Sequence, residues 1–63
     1  MTASDFAAWV AAMKAARGWR QKDCAEALKV QPRQIIRWRE NGAPGYVALA
    51  CAAIAHELAP WHS

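Results

Sequence analysis

The sequence predicts a small all-α domain built from four helices. Sixteen of its 63 residues are Ala and only three are Gly, and Ala has the highest helix propensity of all residues. Apolar residues recur at helical spacing in four segments, and no segment alternates as a half-buried strand does. Capping residues, prolines and glycines separate the four segments. A chain of this length forms one domain with a thin core, which leaves little room for a catalytic cleft.

Local end signals bound the first two helices. Thr2 and Asp5 have the spacing of a capping box, and Gly18 is typical of the residue after a last turn, so a helix is predicted over residues 3–17. Its apolar stripe consists of Phe6, Trp9, Val10 and Met13. A second, shorter helix is predicted over residues 21–28. Its inward-facing residues are Cys24, Ala25 and Leu28.

Proline begins the third predicted helix. Pro32 favours the first position of a helix, and Asn41-Gly42 is a strong end signal, which together predict a helix over residues 32–40. Ile35 and Trp38 follow each other at i, i+3 spacing and are predicted to face the core.

The fourth helix is predicted over residues 44–58 and is apolar around most of its circumference. One stripe consists of Val47, Ala50, Cys51, Ile54 and Leu58. A second stripe consists of Tyr46, Leu49 and Ala53. Such a helix needs partners on two sides, so we expect the second stripe, with Trp61 beyond Pro60, to form a homodimer interface. A last helix that is simply buried explains the pattern equally well.

The charge of the chain is concentrated in its middle. The net charge is +3, and all eight basic residues lie between Lys14 and Arg39, a segment that contains only two acidic residues. A charge run of this kind is either a solvated helical face or a surface that binds a polyanion.

Other classes of protein fit the sequence poorly. Two cysteines, Cys24 and Cys51, are too few for a disulfide framework and fall at apolar helix positions, as expected of free thiols in a reducing compartment. No signal peptide or membrane-spanning run is visible, so we expect a cytoplasmic protein. Cys51, His56 and His62 lack zinc-site spacing. The sequence also lacks a phosphate-binding loop and a paired nucleophile. We therefore expect no metal, no cofactor and no enzymatic activity.

The segment Trp19–Gly42 has the organisation of a helix-turn-helix. Two short helices are joined by a turn of about three residues, and Ala25 is small enough to let the helices approach closely. The segment resembles the helix-turn-helix of Cro/XRE-type repressors, which include compact phage and prophage regulators and anti-CRISPR-associated autorepressors. The residues that carry the resemblance are Gln21, Ala25, Val30, Ile35, Trp38 and the exit Arg37–Gly42 followed by Pro44. Lys29 and Gln31 depart from the family pattern, which has Gly and a Ser or Thr cap there.

The resemblance implies a lambda-repressor-like fold whose third helix reads DNA. If Ile35 and Trp38 face the core, Arg33 and Arg37 project together from the opposite side. Arginine is the side chain best suited to bidentate hydrogen bonds with the O6 and N7 atoms of guanine. Gln34 is a further candidate for base contact. Ile36 either touches a thymine methyl group or belongs to the core, two alternatives that the sequence leaves open. The candidate phosphate contacts are Arg17, Arg20, Gln21, Lys22 and Arg39.

These features predict a sequence-specific double-stranded DNA-binding regulator. We expect a dimeric repressor or autorepressor that occludes a promoter, binds a pseudo-palindromic operator and acts on the nucleoid of a bacterial or phage-infected cell. No small-molecule effector is evident. The alternative is a protein-binding module of the same fold, an antitoxin-like protein or an inhibitor, that does not read DNA.

Overall fold

The computed structural model describes residues 1–57, which form four α-helices joined by short turns. The helices are α1 (Ala3–Arg17), α2 (Gln21–Leu28), α3 (Pro32–Asn41) and α4 (Gly45–Ala55). The described part of the chain contains no strand, so the all-α prediction is confirmed. No helix within residues 1–57 has the length and apolar character needed to cross a bilayer.

The sequence-based boundaries hold for the first two helices and fail for the last. The predicted spans of α1 and α2 agree with the observed ones, and α3 runs one residue further than predicted, to Asn41. The prediction of 44–58 for α4 is wrong at both ends. Pro44 is the N-cap rather than the first helical residue, and the helix ends at Ala55. Leu58 and Trp61 lie outside the described residues.

Residues close in sequence hold the ends of α1. The hydroxyl of Thr2 accepts a hydrogen bond from the backbone N–H of Asp5 at 3.1 Å, and the Asp5 carboxylate accepts one from the N–H of Thr2 at 3.3 Å. Gly18 ends the helix in the left-handed region at φ 70° and donates to the Lys14 carbonyl at 2.9 Å. Both ends are therefore fixed by the local signals that the sequence displays.

The turn between α2 and α3 places a lysine in a conformation that favours glycine. Lys29 has φ 61° and ψ 38°, which costs a residue with a Cβ about 1–2 kcal/mol. The Val30 N–H donates to the Ala25 carbonyl at 2.9 Å, which closes the turn. Lys29 thus has a backbone geometry that favours glycine, and the connection between α2 and α3 stays tight.

An aromatic cluster joins three helices in the core. Phe6 is fully buried, and its ring packs against Trp9 at 5.8 Å and edge-on against Trp38 at 5.5 Å. The indole N–H of Trp9 donates to the Cys51 carbonyl at 3.2 Å, which links α1 to α4. The buried residues are Phe6, Trp9, Val10, Met13, Cys24, Ala25, Ile35, Trp38, Val47 and Cys51. They include the apolar stripe predicted for α1 and the two core residues predicted for α3.

A long-range contact lies at the end of α4. The guanidinium of Arg17 donates to the Ile54 carbonyl at 3.0 Å, and the Glu57 N–H donates to the same carbonyl at 3.0 Å. Glu57 has φ 58°, which turns the chain away from the helical path. A helix C-terminus leaves its last carbonyls without partners, and here a side chain from α1 satisfies one of them.

Candidate nucleic-acid interface

Helix α3 separates a buried side from an exposed side. Ile35 and Trp38 are buried, so helical periodicity directs Arg33 and Arg37 to the opposite side, where both residues are exposed. Ile36 is 46% exposed, which excludes its alternative as a core residue. The exposed side of α3 consists of Arg33, Ile36, Arg37 and Glu40. We call these four residues the α3 ridge.

A groove borders the α3 ridge on the side of α4. It has a volume of about 440 Å³ and brings together all three polar side chains proposed to contact bases. The lining residues are Val30, Gln31, Arg33, Gln34, Arg37, Trp38 and Tyr46. We call this concavity the α3–α4 groove. Tyr46, predicted from sequence as a dimer residue, stands at its edge beside the two arginines.

A second groove lies on the opposite flank of α3. It has a volume of about 400 Å³ and collects three predicted phosphate contacts, Arg20, Gln21 and Arg39, together with Lys14. Its apolar lining consists of Ala7, Val10, Ala11 and Trp19. No carboxylate is among its lining residues, so its charge is positive. This α1–α3 groove shares no lining residue with the α3–α4 groove.

Two predicted phosphate contacts lie apart from that cluster. Lys22 is exposed on α2 and lines neither groove. Arg17 is held within the fold, since its guanidinium lies 5.1 Å from the centre of the Trp19 ring, donates to the Ile54 carbonyl and stands 3.6 Å from the Glu57 carboxylate. The structure therefore gives Arg17 a role in joining α1 to the end of α4, and its contact with a phosphate stays a prediction.

Sequence reasoning missed two residues near the ridge. Glu40 lies on the exposed side of α3, three residues after Arg37, and a helical projection of α3 would have placed it there. Tyr46 offered no such signal, because its position beside α3 depends on the turn at Gly42. That glycine has φ 92°, and a Cβ there would stand 3.0 Å from the Met1 carbonyl oxygen.

The outer side of α4 is apolar and exposed. Tyr46 is 70% exposed and Leu49 is 75% exposed, whereas Ala53 is half-buried. No Asp, Glu, Lys, Arg or His occurs in Gly45–Ala55. We call Tyr46, Leu49, Ala52 and Ala53 the α4 apolar face. It contains the three described residues of the predicted dimer interface; Trp61, the fourth, lies outside the described residues.

The two thiols are core groups. Burial raises the pKa of Cys51 to about 11, with the nearby Cys24 as a smaller cause. Burial, followed by the charge of Asp23, also raises the pKa of Cys24. Both thiols are therefore protonated near neutral pH, and reactivity requires the thiolate. Within residues 1–57, no three His, Cys, Asp or Glu side chains gather as metal ligands would.

Comparison with known proteins adds no relative to this description. No protein-family model, no curated protein and no solved structure matches the chain. The resemblance to Cro/XRE-type repressors therefore depends on the residues of the helix-turn-helix themselves.

Proposed function

We propose that the protein is a sequence-specific double-stranded DNA-binding regulator, a dimeric repressor or autorepressor of the Cro/XRE type that acts by occluding a promoter. The observation that carries the proposal is the pairing of Arg33 and Arg37 on one exposed ridge. The cations of the α1–α3 groove flank that ridge. The arginines on the outer side of such a helix can contact base edges in the major groove, and the cations beside it can contact the phosphates.

The dimensions of helix and DNA support this arrangement. An α-helix with its side chains is about 10–12 Å across, and the major groove of B-DNA is about 12 Å wide. When α3 enters the groove, its ridge faces the base edges. Arg33 and Arg37 then contact guanines, and Ile36 contacts a thymine methyl group. Arg20, Gln21 and Arg39 contact phosphates, where the first-turn N–H groups of α2 add favourable dipoles.

Charge separation supports a homodimer through the α4 apolar face. Two copies of a chain with net charge +3 repel each other, but α4 itself has no charged residue. A two-fold axis at this face brings together the surfaces with the least repulsion. A symmetric dimer requires half-sites about 34 Å apart or a multiple of that distance.

Fluorescence anisotropy tests the proposal with the DNA upstream of the protein's own gene and a scrambled duplex. We expect wild type to prefer the upstream DNA, and Arg33→Ala and Arg37→Ala each to lose about 1–3 kcal/mol of that preference. Arg39→Ala is the matched control in the same helix. It should weaken binding to both duplexes equally. The slope of log affinity against log salt, measured between about 50 and 200 mM salt, should fall by about 1, as expected for the loss of one phosphate contact. Absence of binding to either duplex at low salt contradicts the proposal.

The exposed Leu49 supports a second candidate function. An apolar side chain that is 75% exposed on an uncharged helix face also suits a protein-binding module, antitoxin-like or inhibitory. In that case Leu49→Lys abolishes binding to the protein partner, and Arg33→Ala leaves it unchanged.

A further inference from the structure

We propose that Tyr46 is a DNA-backbone contact that fixes the position of α3 in the major groove through its phenolic hydroxyl. The inference rests on the proposed function. It assigns Tyr46 to the nucleic-acid surface and leaves Leu49, Ala52 and Ala53 of the α4 apolar face for the dimer contact. The spacing of Tyr46 with Leu49 and Ala53 had indicated only a dimer residue.

The position of Tyr46 is the first support. The side chain belongs to the first turn of α4, yet it lines the same groove as Arg33, Gln34 and Arg37 of α3. It is 70% exposed, so its hydroxyl is accessible to a ligand seated on the α3 ridge. Leu49, one helical turn further along α4, does not line this groove.

The width of the major groove decides which part of DNA Tyr46 meets. A helix about 10–12 Å across fills a groove of about 12 Å. A side chain that flanks the inserted helix from another element therefore faces the wall of the groove, which is the sugar-phosphate backbone. Tyr46 flanks α3 on one side, and Arg20 with Gln21 flanks it on the other. The two flanks thus meet the two opposite strands.

The chemistry of the phenol fits a phosphate oxygen. A tyrosine hydroxyl is a neutral hydrogen-bond donor, and tyrosine is among the side chains that contact DNA phosphates. Arg33 and Arg37 beside it supply the positive potential that attracts the strand. A contact of this kind positions the recognition helix and reads no sequence. Because the phenol carries no charge, it displaces no counterion from the DNA.

The test compares Tyr46→Phe, which removes only the hydroxyl, with wild type. Anisotropy is measured on the upstream and the scrambled duplex at several salt concentrations, and sedimentation equilibrium gives the dimer dissociation constant. We expect affinity for both duplexes to fall about three- to tenfold, which is the loss expected when one hydrogen bond is removed. The slope of log affinity against log salt stays that of wild type. The dimer constant also stays unchanged, whereas the control Leu49→Ala changes it.

Other outcomes overturn the assignment in distinguishable ways. If wild type binds DNA and Tyr46→Phe binds equally well, the hydroxyl makes no phosphate contact and the proposed function stands. If the variant loses affinity for the upstream duplex alone, Tyr46 reads bases. If only the dimer constant changes, Tyr46 belongs to the dimer interface. If wild type binds neither duplex at low salt, the proposed function fails together with this inference.

Discussion

Helices α3 and α4 make similar contributions to the core and present opposite chemistry to their surroundings. They have ten and eleven residues, and each buries two of them in the core. The outer side of α3 has Arg33, Arg37 and Glu40, whereas the outer side of α4 has Tyr46, Leu49 and small residues. Core packing therefore fixes the orientation of each helix, and the residues left outside the core determine which partner the helix can meet.

The variants with the largest expected difference in stability test the division of α3 into a buried and an exposed side. Ile35→Ala removes a fully buried side chain and should lower the free energy of unfolding by about 2–5 kcal/mol. Ile36→Ala, at the neighbouring exposed position, should change it by no more than about 0.5 kcal/mol. Urea denaturation followed by circular dichroism measures both. Equal losses would show that α3 has no distinct outer side.

The second prediction concerns the turn that connects α3 to α4. Gly42→Ala places a Cβ at φ 92° and 3.0 Å from the Met1 carbonyl oxygen, which should lower the free energy of unfolding by about 1–3 kcal/mol. Gly45→Ala is the matched control, since a Cβ there meets no atom within 4 Å. It should stabilise the protein by up to about 1 kcal/mol. A neutral Gly42→Ala in thermal denaturation would contradict the close approach of this turn to the N-terminal segment.

The third prediction tests the partner of α4. Leu49→Lys puts a charge on the α4 apolar face and should weaken the homodimer at least tenfold, which is about 1.4 kcal/mol. Ala15→Lys, on an exposed position of α1, is the control and should leave the dimer unchanged. Sedimentation equilibrium distinguishes the two variants. A Leu49→Lys protein that dimerises as wild type does would place the contact elsewhere.

The smallest expected effect lies in the turn that leads into α3. Lys29→Gly relieves the backbone strain of a left-handed residue at φ 61°. The greater flexibility of glycine in the unfolded chain offsets part of this gain in stability. We expect the free energy of unfolding to rise by about 0.5–1 kcal/mol, measured by urea denaturation. Lys22→Gly, within α2, should destabilise the protein by about 1 kcal/mol. A destabilised Lys29→Gly variant would mean that the lysine side chain contributes more than its backbone strain costs.

The sequence predicted features that depend on neighbouring residues. The ends of α1 follow from Thr2, Asp5 and Gly18, all within one turn of the boundary they set. The shared exposure of Arg33 and Arg37 follows from helical periodicity once Ile35 and Trp38 define the inner side. Ile36 stayed open because it lies beside a core residue in an apolar pair, and only the packed structure shows its exposure.

Features that depend on distant contacts were beyond the sequence. The contact at the end of α4 comes from Arg17, which is 37 positions from the Ile54 carbonyl it binds, and no local signal in the sequence predicts this pairing. The place of Tyr46 beside α3 depends on the path of the chain through Gly42. In each case the deciding neighbour comes from another helix, and periodicity within one helix carries no information about it.

The two buried thiols can be used to measure local opening of the core. Cys24 lies on α2 and Cys51 on α4, both almost without exposure, so an alkylating reagent reaches either one only when its helix separates from the rest. Labelling rates in native buffer therefore measure the opening of each helix, with no dye or engineered probe. Equal rates mean that the four helices open as one unit. Faster labelling of Cys51 means that α4 detaches while the helix-turn-helix stays closed, so that the proposed dimer contact would break before the proposed DNA-reading unit opens.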